Sequence, residues 1–385
     1  MKTVYKGMVI RLFPTKEQEQ KMWQHIGASR FVWNYMRNLQ EERHKNGEKH
    51  LSAFGMDYLL TDLKKQEETS WLCNVSSATC QRTCGDLANA YNRFFNRTAN
   101  RPKLKKRKNG KNSYPLRDDV GGVWFSETHV QIPIVGKVAY KTNYDIPLGR
   151  KVKFIDPRVK LTANGKWLLS LSVECEIQVS ILTDKPMGID LGVKELAIAA
   201  YGDDKIVFHN VNKSKKLFQL CRKLKHLQRC LARKYRQNGS YEETKNIKRL
   251  KRHIRKLRYY ISNIRCNYLH QTTHALVSLL PCRVVMENLN VRGMIKNGHL
   301  ANSIIEQHFY EFRRQMEYKC AWNGIEFVLA DRFFPSSKTC SCCGAYKKDL
   351  KLKDRTYVCS ECGAIIDRDY NAAINLMNYK AQSST

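Results

Sequence analysis

Two cysteine pairs near the end of the chain constrain its fold more than any other feature. Cys340-x2-Cys343 and Cys359-x2-Cys362 are separated by fifteen residues, a spacing typical of structural zinc sites. Each pair is followed by a glycine, Gly344 or Gly363, which lets the backbone turn tightly beneath an ion. Four thiolates complete a tetrahedral Zn2+ shell and leave no open position for catalysis. Cys342 is a surplus thiol outside that spacing. Two carboxylates follow at once, Asp367 and Asp369, in "CSECGAIIDRDYNAAINL" (359–376). Carboxylates suit a hard cation rather than the softer one that thiolates hold. With the zinc shell closed in sulfur, both are free for other chemistry.

The 385 residues allow two or three domains and a buried core. Lys and Arg number 68 against 35 acids, a net charge of +33. Such an excess repels itself in a free protein, so a polyanion is the expected partner, with a membrane surface as the competitor. No apolar run approaches the ~18 residues of a spanning helix. The start, "MKTVYKGMVIRLF", carries charge through any signal core. A cytoplasmic, reducing setting follows, where the fourteen cysteines serve as core residues or metal ligands rather than disulfides. Cys80 and Cys84, for example, share a helical stripe with Leu87, Tyr91 and Phe94.

Alternation in residues 2–12 puts Met8, Ile10 and Leu12 on one face of a strand. Thr15 with Gln18 has capping-box spacing, and helical patterns continue to about residue 97. The run "RPKLKKRKNGKNSYP" (101–115) is too charged and broken to pack. It reads equally as a solvated linker or as a phosphate-gripping loop, with Lys103, Lys105, Lys106 and Arg107 as contacts. From about 121 to 176 the texture is β, with a hairpin signal at Asn164-Gly165. The first strand is expected to join this sheet, making the helices an insertion. Residues 187–211 read as two more strands, with Gly192 near the turn.

Leu217, Leu220, Leu224, Leu227 and Leu231 repeat by threes and fours, as do Ile247, Leu250, Ile254, Leu257, Ile261 and Ile264 beyond "QNGS". The pattern predicts an antiparallel helical hairpin with a narrow apolar seam. Between Lys213 and Arg258 stand eighteen Lys and Arg and two Glu, a net +16. Few acids compensate, so a phosphate-contacting arm is favoured over a merely solvated face. Arg222, Lys223, Arg233, Lys234, Arg249 and Arg252 are the candidate contacts. A strand ending at Glu287, a helix over roughly 303–320, the strand "IEFVLA" and a disordered tail, "AQSST", complete the pattern.

Asp190 in "GIDLG" and Glu287 stand at strand ends, and Asp369 opens a helix-like segment. Acids aimed into one cleft repel unless a cation neutralises them. Three of them suit two Mg2+ ions about 3.5–4 Å apart, an arrangement that hydrolyses phosphodiesters. Spacing alone does not bring them together, and Asp367 and Asp331 compete for places in the cleft.

"GIDLGVKELA", "VVMENLNVRGM", "FFPSSKTCSCCG" and "VCSECGAIIDRDYNAAINL", in that order, resemble the OrfB/TnpB family of transposon-encoded proteins, relatives of the type V CRISPR effectors. "VIRLFPTKEQEQKM", "VSSATCQRTCGDLANAYNRFF" and "NGKWLLSLSVE" extend the resemblance over nearly the whole chain. It implies a bilobed α/β plus β-barrel fold. A wedge β-barrel (1–13 and 116–183) would carry an inserted helical recognition domain (14–115). An RNase H-like RuvC domain (184–334 and 367–385) would carry the basic hairpin (213–265) and a four-cysteine zinc ribbon (335–366). Asp190, Glu287 and Asp369 become its catalytic acids, Asp369 because the family's acid directly precedes x-Asn-Ala-Ala. Guide RNA, target double-stranded DNA, Mg2+ and structural Zn2+ become its partners and cofactors. A monomer with one RNA at the nucleoid is expected, with a dimer not excluded. Gln81 and Arg82 lie where the family reads a short target-adjacent motif. A CRISPR effector with a repeat-derived guide, a non-cleaving DNA-binding regulator and a strand transferase stand as alternatives.

Overall fold

Strict alternation in the first dozen residues forms β1 (Lys2–Phe13). Met8, Ile10 and Leu12 are buried, while Tyr5, Val9 and Phe13 face outward. The computed structural model describes residues 2–107, 112–177, 180–239, 243–296, 298–351 and 354–380. The chain divides into two compact units, residues 3–176 and essentially 177–385. The tail 381–385, expected to be disordered, lies outside the described residues.

In the N-terminal unit, Thr15 caps α1 (Lys16–Lys45) through the anticipated box: its hydroxyl accepts from the Gln18 amide, and the Gln18 side chain accepts from the Thr15 amide. α3 (Ser77–Phe95) packs on α1 and α2 (Ala53–Lys65) packs on α3, around a core that includes Val32, Met36, Leu60, Leu63, Cys80, Cys84 and Leu87. Burial pushes the Cys80 thiol up to about 11. A buried neutral thiol is inert, so these cysteines are core, as the stripe suggested.

Six further strands follow: β2 (Asn112–Pro115), β3 (Trp124–Phe125), β4 (His129–Ile132), β5 (Gly136–Lys141), β6 (Ile155–Leu161) and β7 (Trp167–Ile177). They form one sheet in the order β2-β6-β7-β1-β5-β4-β3. β1 therefore sits inside the sheet, and the helices are an insertion between it and the other strands. Gly165, at φ +80°, makes the β6–β7 turn. Among the described residues no ladder joins the edges β2 and β3, so the expected barrel is an open seven-stranded sheet.

Residues 101–107 are mostly exposed, as their charge suggested, but the segment is anchored to α1 rather than loose. Pro102 is buried. The Trp33 indole donates to the Lys103 carbonyl (3.0 Å), and the Asn34 amide group brackets Lys105 at both its carbonyl and its N–H (3.0 and 2.8 Å). Side chains of α1 thus supply the hydrogen bonds that this segment lacks internally. Asn112–Pro115 is strand rather than linker; residues 108–111 lie outside the described residues.

The C-terminal unit is built on β8 (Met187–Leu191), β9 (Glu195–Tyr201) and β10 (Asp204–His209). Residues 187–211 thus hold three strands where two were expected. The stretch "MGIDLGVKELAIAAYG" folds back on itself, with the Gly192 amide bonded to the Leu196 carbonyl. α4 (Lys215–Asn238) and α5 (Lys245–Val277) form the basic hairpin, its seam closed by Leu217, Leu257 and Ile261. α5 continues past the seam, where Leu269, Leu276 and Val277 join the sheet's core. β11 (Arg283–Met286), α6 (Val291–Met294), α7 (Gly298–Gln307), α8 (Phe309–Asn323) and β12 (Glu326–Leu329) follow. The single helix expected at 303–320 is two, broken at His308 with φ +55°. The sheet order is β10-β9-β8-β11-β12, with β8, β11 and β12 parallel. β13 (Thr356–Val358), β14 (Ile365–Asp367) and α9 (Arg368–Met377) end the fold. No helix among the described residues is long and apolar enough to cross a membrane.

Candidate metal centres and nucleic-acid interface

The two cysteine pairs meet. All four sulfurs lie within 4.8 Å of one another, with Cys340–Cys362 at 3.7 Å and Cys343–Cys359 at 3.6 Å. A tetrahedral ion with Zn–S bonds of ≈2.3 Å places its sulfurs about 3.8 Å apart, so the residues fit Zn2+. The two knuckles repeat one backbone pattern: the Gly344 and Gly363 amides bond to the Cys340 and Cys359 carbonyls, both glycines at positive φ. Tyr357, buried beneath, reaches the Lys338 and Ala345 carbonyls. Among the described residues this is the one group of three or more such ligand atoms gathered that closely.

The carboxylates converge for a different reason. β8 and β11 run parallel, with Met286 opposite Ile189; one residue on, Glu287 stands beside Asp190. α9 lies across the same sheet face. A Cβ added at Gly188 would lie 2.1 Å from the Ala373 carbonyl oxygen and 2.2 Å from the Met377 nitrogen. The bare glycine therefore lets α9 touch β8, and Asp369, one turn before Ala373, arrives above Asp190 and Glu287.

All three acids are half-buried. Desolvation first, then Glu287 and Asp369, holds the Asp190 carboxyl well above the usual carboxylate range, with Arg368 opposing. Glu287 is raised by desolvation and by Asp369, against a hydrogen bond from the Ser336 hydroxyl. Asp369 is held by Arg368 (3.2 Å) and faces Arg355 (3.9 Å). Repelling oxygen donors of this kind fit a hard dication, which relieves the repulsion.

The two competing acids are occupied. Asp367 caps α9 by accepting from the Tyr370 amide (3.0 Å), and Lys205 lies 3.6 Å away. Asp331 accepts from the Tyr379 hydroxyl (2.7 Å). Sequence reasoning missed Ser336, Arg368 and the asparagines of "DYNAAINL". Asn371 and Asn375, one turn apart on α9, both donate to the Thr339 carbonyl (2.7 Å), and Asn375 also donates to that of Ser336 (2.7 Å). Their i, i+4 spacing was the available signal.

Of the basic candidates, Arg222, Lys223, Arg233, Lys234, Arg249 and Arg252 are exposed along the hairpin. Lys103, Lys106 and Arg107 are exposed as well. Lys105 is not a free contact: its ammonium sits 3.7 Å from the centre of the Trp33 ring, and desolvation lowers it to about 8. Arg82 is likewise engaged, by Asp118 and by Asp156 (3.0 Å). Exposed Gln81 borders, with Arg82, Asp118 and Arg158, a cleft of ≈1130 Å³.

Comparison with known proteins defines first the fold. The structure resembles that of a Cas12f1–sgRNA–target DNA complex, with a TM-score of 0.56 and 14% identity over 98% of this chain and 99% of the other. Three family descriptions match segments: "Helix-turn-helix domain" (1–49), "Probable transposase" (170–298) and "Cas12f1-like, TNB domain" (309–376). The first of these segments is here a strand and one long helix. A Streptomyces pristinaespiralis protein named as an RNA-guided DNA endonuclease is 30% identical over 98% of this chain and 90% of its own. InsQ of Escherichia coli K12, named likewise, is 32% identical over 95% and 90%. The chain belongs to the OrfB/TnpB family.

Proposed function

We propose that the chain is an RNA-guided DNA endonuclease that cuts both target strands at one metal-dependent site. The observation that carries the reading is the gathering of Asp190, Glu287 and Asp369 on one sheet face, in a family whose relatives bear that name. Three antiparallel strands followed by two parallel ones, β10-β9-β8-β11-β12, support an RNase H-like RuvC domain. The seven-stranded sheet then serves as the wedge and α1–α3 as the recognition domain.

Asp190, Glu287 and Asp369 would hold Mg2+, which supplies water activation and stabilisation of the departing oxygen when bound. Ser336 orients Glu287 by donating to it. Arg368 and Arg355 fix the Asp369 carboxylate and keep a positive charge where a phosphate must approach. The four cysteines would hold Zn2+, so that β14 delivers α9 in register. The exposed hairpin arginines and lysines would grip guide RNA and target DNA backbones, leaving sequence to base pairing and a short flanking motif to the protein. The site of action would be the nucleoid.

Changing Asp190, Glu287 or Asp369 singly to Asn, Gln or Asn, respectively, should abolish Mg2+-dependent cleavage of guide-matched DNA while RNA-dependent target binding survives. Parental cleavage by any of the three would remove that residue from the site.

A further inference from the structure

Phe333 is 91% exposed, on a turn tied at both ends to the acid cluster's surroundings. On one side the Tyr379 hydroxyl bonds to Asp331, and Phe334 packs edge-on against the Tyr379 ring at 4.9 Å. On the other, the Ser336 hydroxyl donates to Glu287 and Asn375 holds the Ser336 carbonyl. Within the turn, the Phe334 amide bonds to the Asp331 carbonyl (3.0 Å) and the Ser336 amide to that of Phe334 (2.9 Å). Of two adjacent phenylalanines, one is anchored and its neighbour is presented to solvent. Three residues span at most about 10 Å, so Phe333 stays close to the residue that touches Glu287. Arg332, also exposed, stands beside it.

We propose that Phe333 is a stacking platform for an unpaired nucleobase of the DNA strand entering the acid cluster, with Arg332 meeting the adjoining phosphate. The inference rests on the nuclease reading above and names how that site seats its substrate. A nuclease whose target is set by its guide must hold any base near the cut, and every base offers a π-face. Stacking is therefore the sequence-tolerant contact, and an exposed aromatic ring carried on a hydrogen-bonded turn is its protein half. A base inside an intact duplex is already stacked, so the ligand is single-stranded DNA.

The test uses the guide-loaded full chain. Matched DNA carries an abasic site at each position around the cut in turn, and Phe333→Ala, Phe333→Leu and Phe333→Trp are compared with the parent. In the parent, one abasic position should raise the KM for cleavage by roughly five- to hundred-fold, the range of one base–aromatic stack. Phe333→Ala should show that loss with intact DNA and no further loss at the abasic position. Phe333→Trp should restore the parental pattern, and Phe333→Leu should not. An abasic effect that persists undiminished in Phe333→Ala, or full rescue by Leu, overturns the platform. The same scan, read as binding in an Asp190→Asn background, separates the two readings: a parent that never cleaves refutes the nuclease, whereas the binding pattern still decides the role of Phe333.

Discussion

Gly188→Ala is the sharpest probe of how the acid cluster is assembled. The added methyl would sit 2.1 Å from the Ala373 carbonyl oxygen, 2.2 Å from the Met377 nitrogen and 2.9 Å from the Leu376 carbonyl carbon. All three are backbone atoms, so no rotamer change relieves the clash; α9 itself must withdraw by about 1 Å or more to regain ordinary contact. Overpacking of this kind costs about 1–3 kcal/mol, a Tm loss of very roughly 2–12 °C for a unit of this size. The functional loss should be larger than the stability loss. α9 carries Asp369, and a displacement of 1 Å at a catalytic group reduces rate on the order of a hundredfold. The assay is single-turnover cleavage by guide-loaded protein at saturating Mg2+, with melting and bound zinc measured on the same preparation. A Gly188→Ala protein that binds zinc, melts within 1 °C of the parent and cleaves at the parental rate would refute the close approach.

Three further outcomes are expected. Folding raises the Asp190 pKa, so the native state holds that proton more tightly than the unfolded chain does, and stability is lost as pH rises through the raised value. In Mg2+-free buffer with zinc retained, Asp190→Asn should therefore melt higher than the parent near pH 8, and the advantage should shrink as the pH falls; a pH-independent difference would contradict the raised Asp190 pKa. Cys359→Ser should lose the bound zinc and with it cleavage, because β14 runs directly from the ribbon into α9; a zinc-free variant that cuts normally would show the ribbon to be dispensable. Nucleic-acid affinity should fall by ~10³–10⁵ between 50 and 200 mM salt for ~6–10 phosphate contacts, and replacing Arg222, Arg233, Arg249 and Arg252 by Ala should flatten that slope by about one per lost contact. A slope unchanged in the variant would move the contacts elsewhere.

Local chemistry makes much of this protein legible in its residue order. The cysteine spacing specifies a four-thiolate site, because ligands close in sequence can reach one ion without help from the rest of the fold. The alternation of β1, the Thr15 box, the Gly165 turn and the leucine–isoleucine seam of α4 and α5 are likewise short-range, and each stands where the pattern puts it. The departures have different causes. The anchoring of residues 101–107 was invisible because the hydrogen-bond partners, Trp33 and Asn34, lie some seventy positions away. The helix expected at 303–320 is divided by a single left-handed residue, His308, that periodicity does not register.

Residue order alone thus yields an inventory: a thiolate knuckle pair, a basic helical arm, a run of strands and several candidate acids at their ends. Spacing alone left five acids in competition; the family resemblance proposed three of them, and the tertiary structure supplies a physical route by which those three approach one another. Parallel pairing of β8 with β11 brings together two acids nearly a hundred residues apart, and the glycine gap under α9 admits the third. Asp331 and Asp367 are meanwhile taken up by Tyr379 and by a helix cap. Proximity across a sheet depends on strand register and on the distance of backbone approach, and neither leaves a periodic trace in the chain.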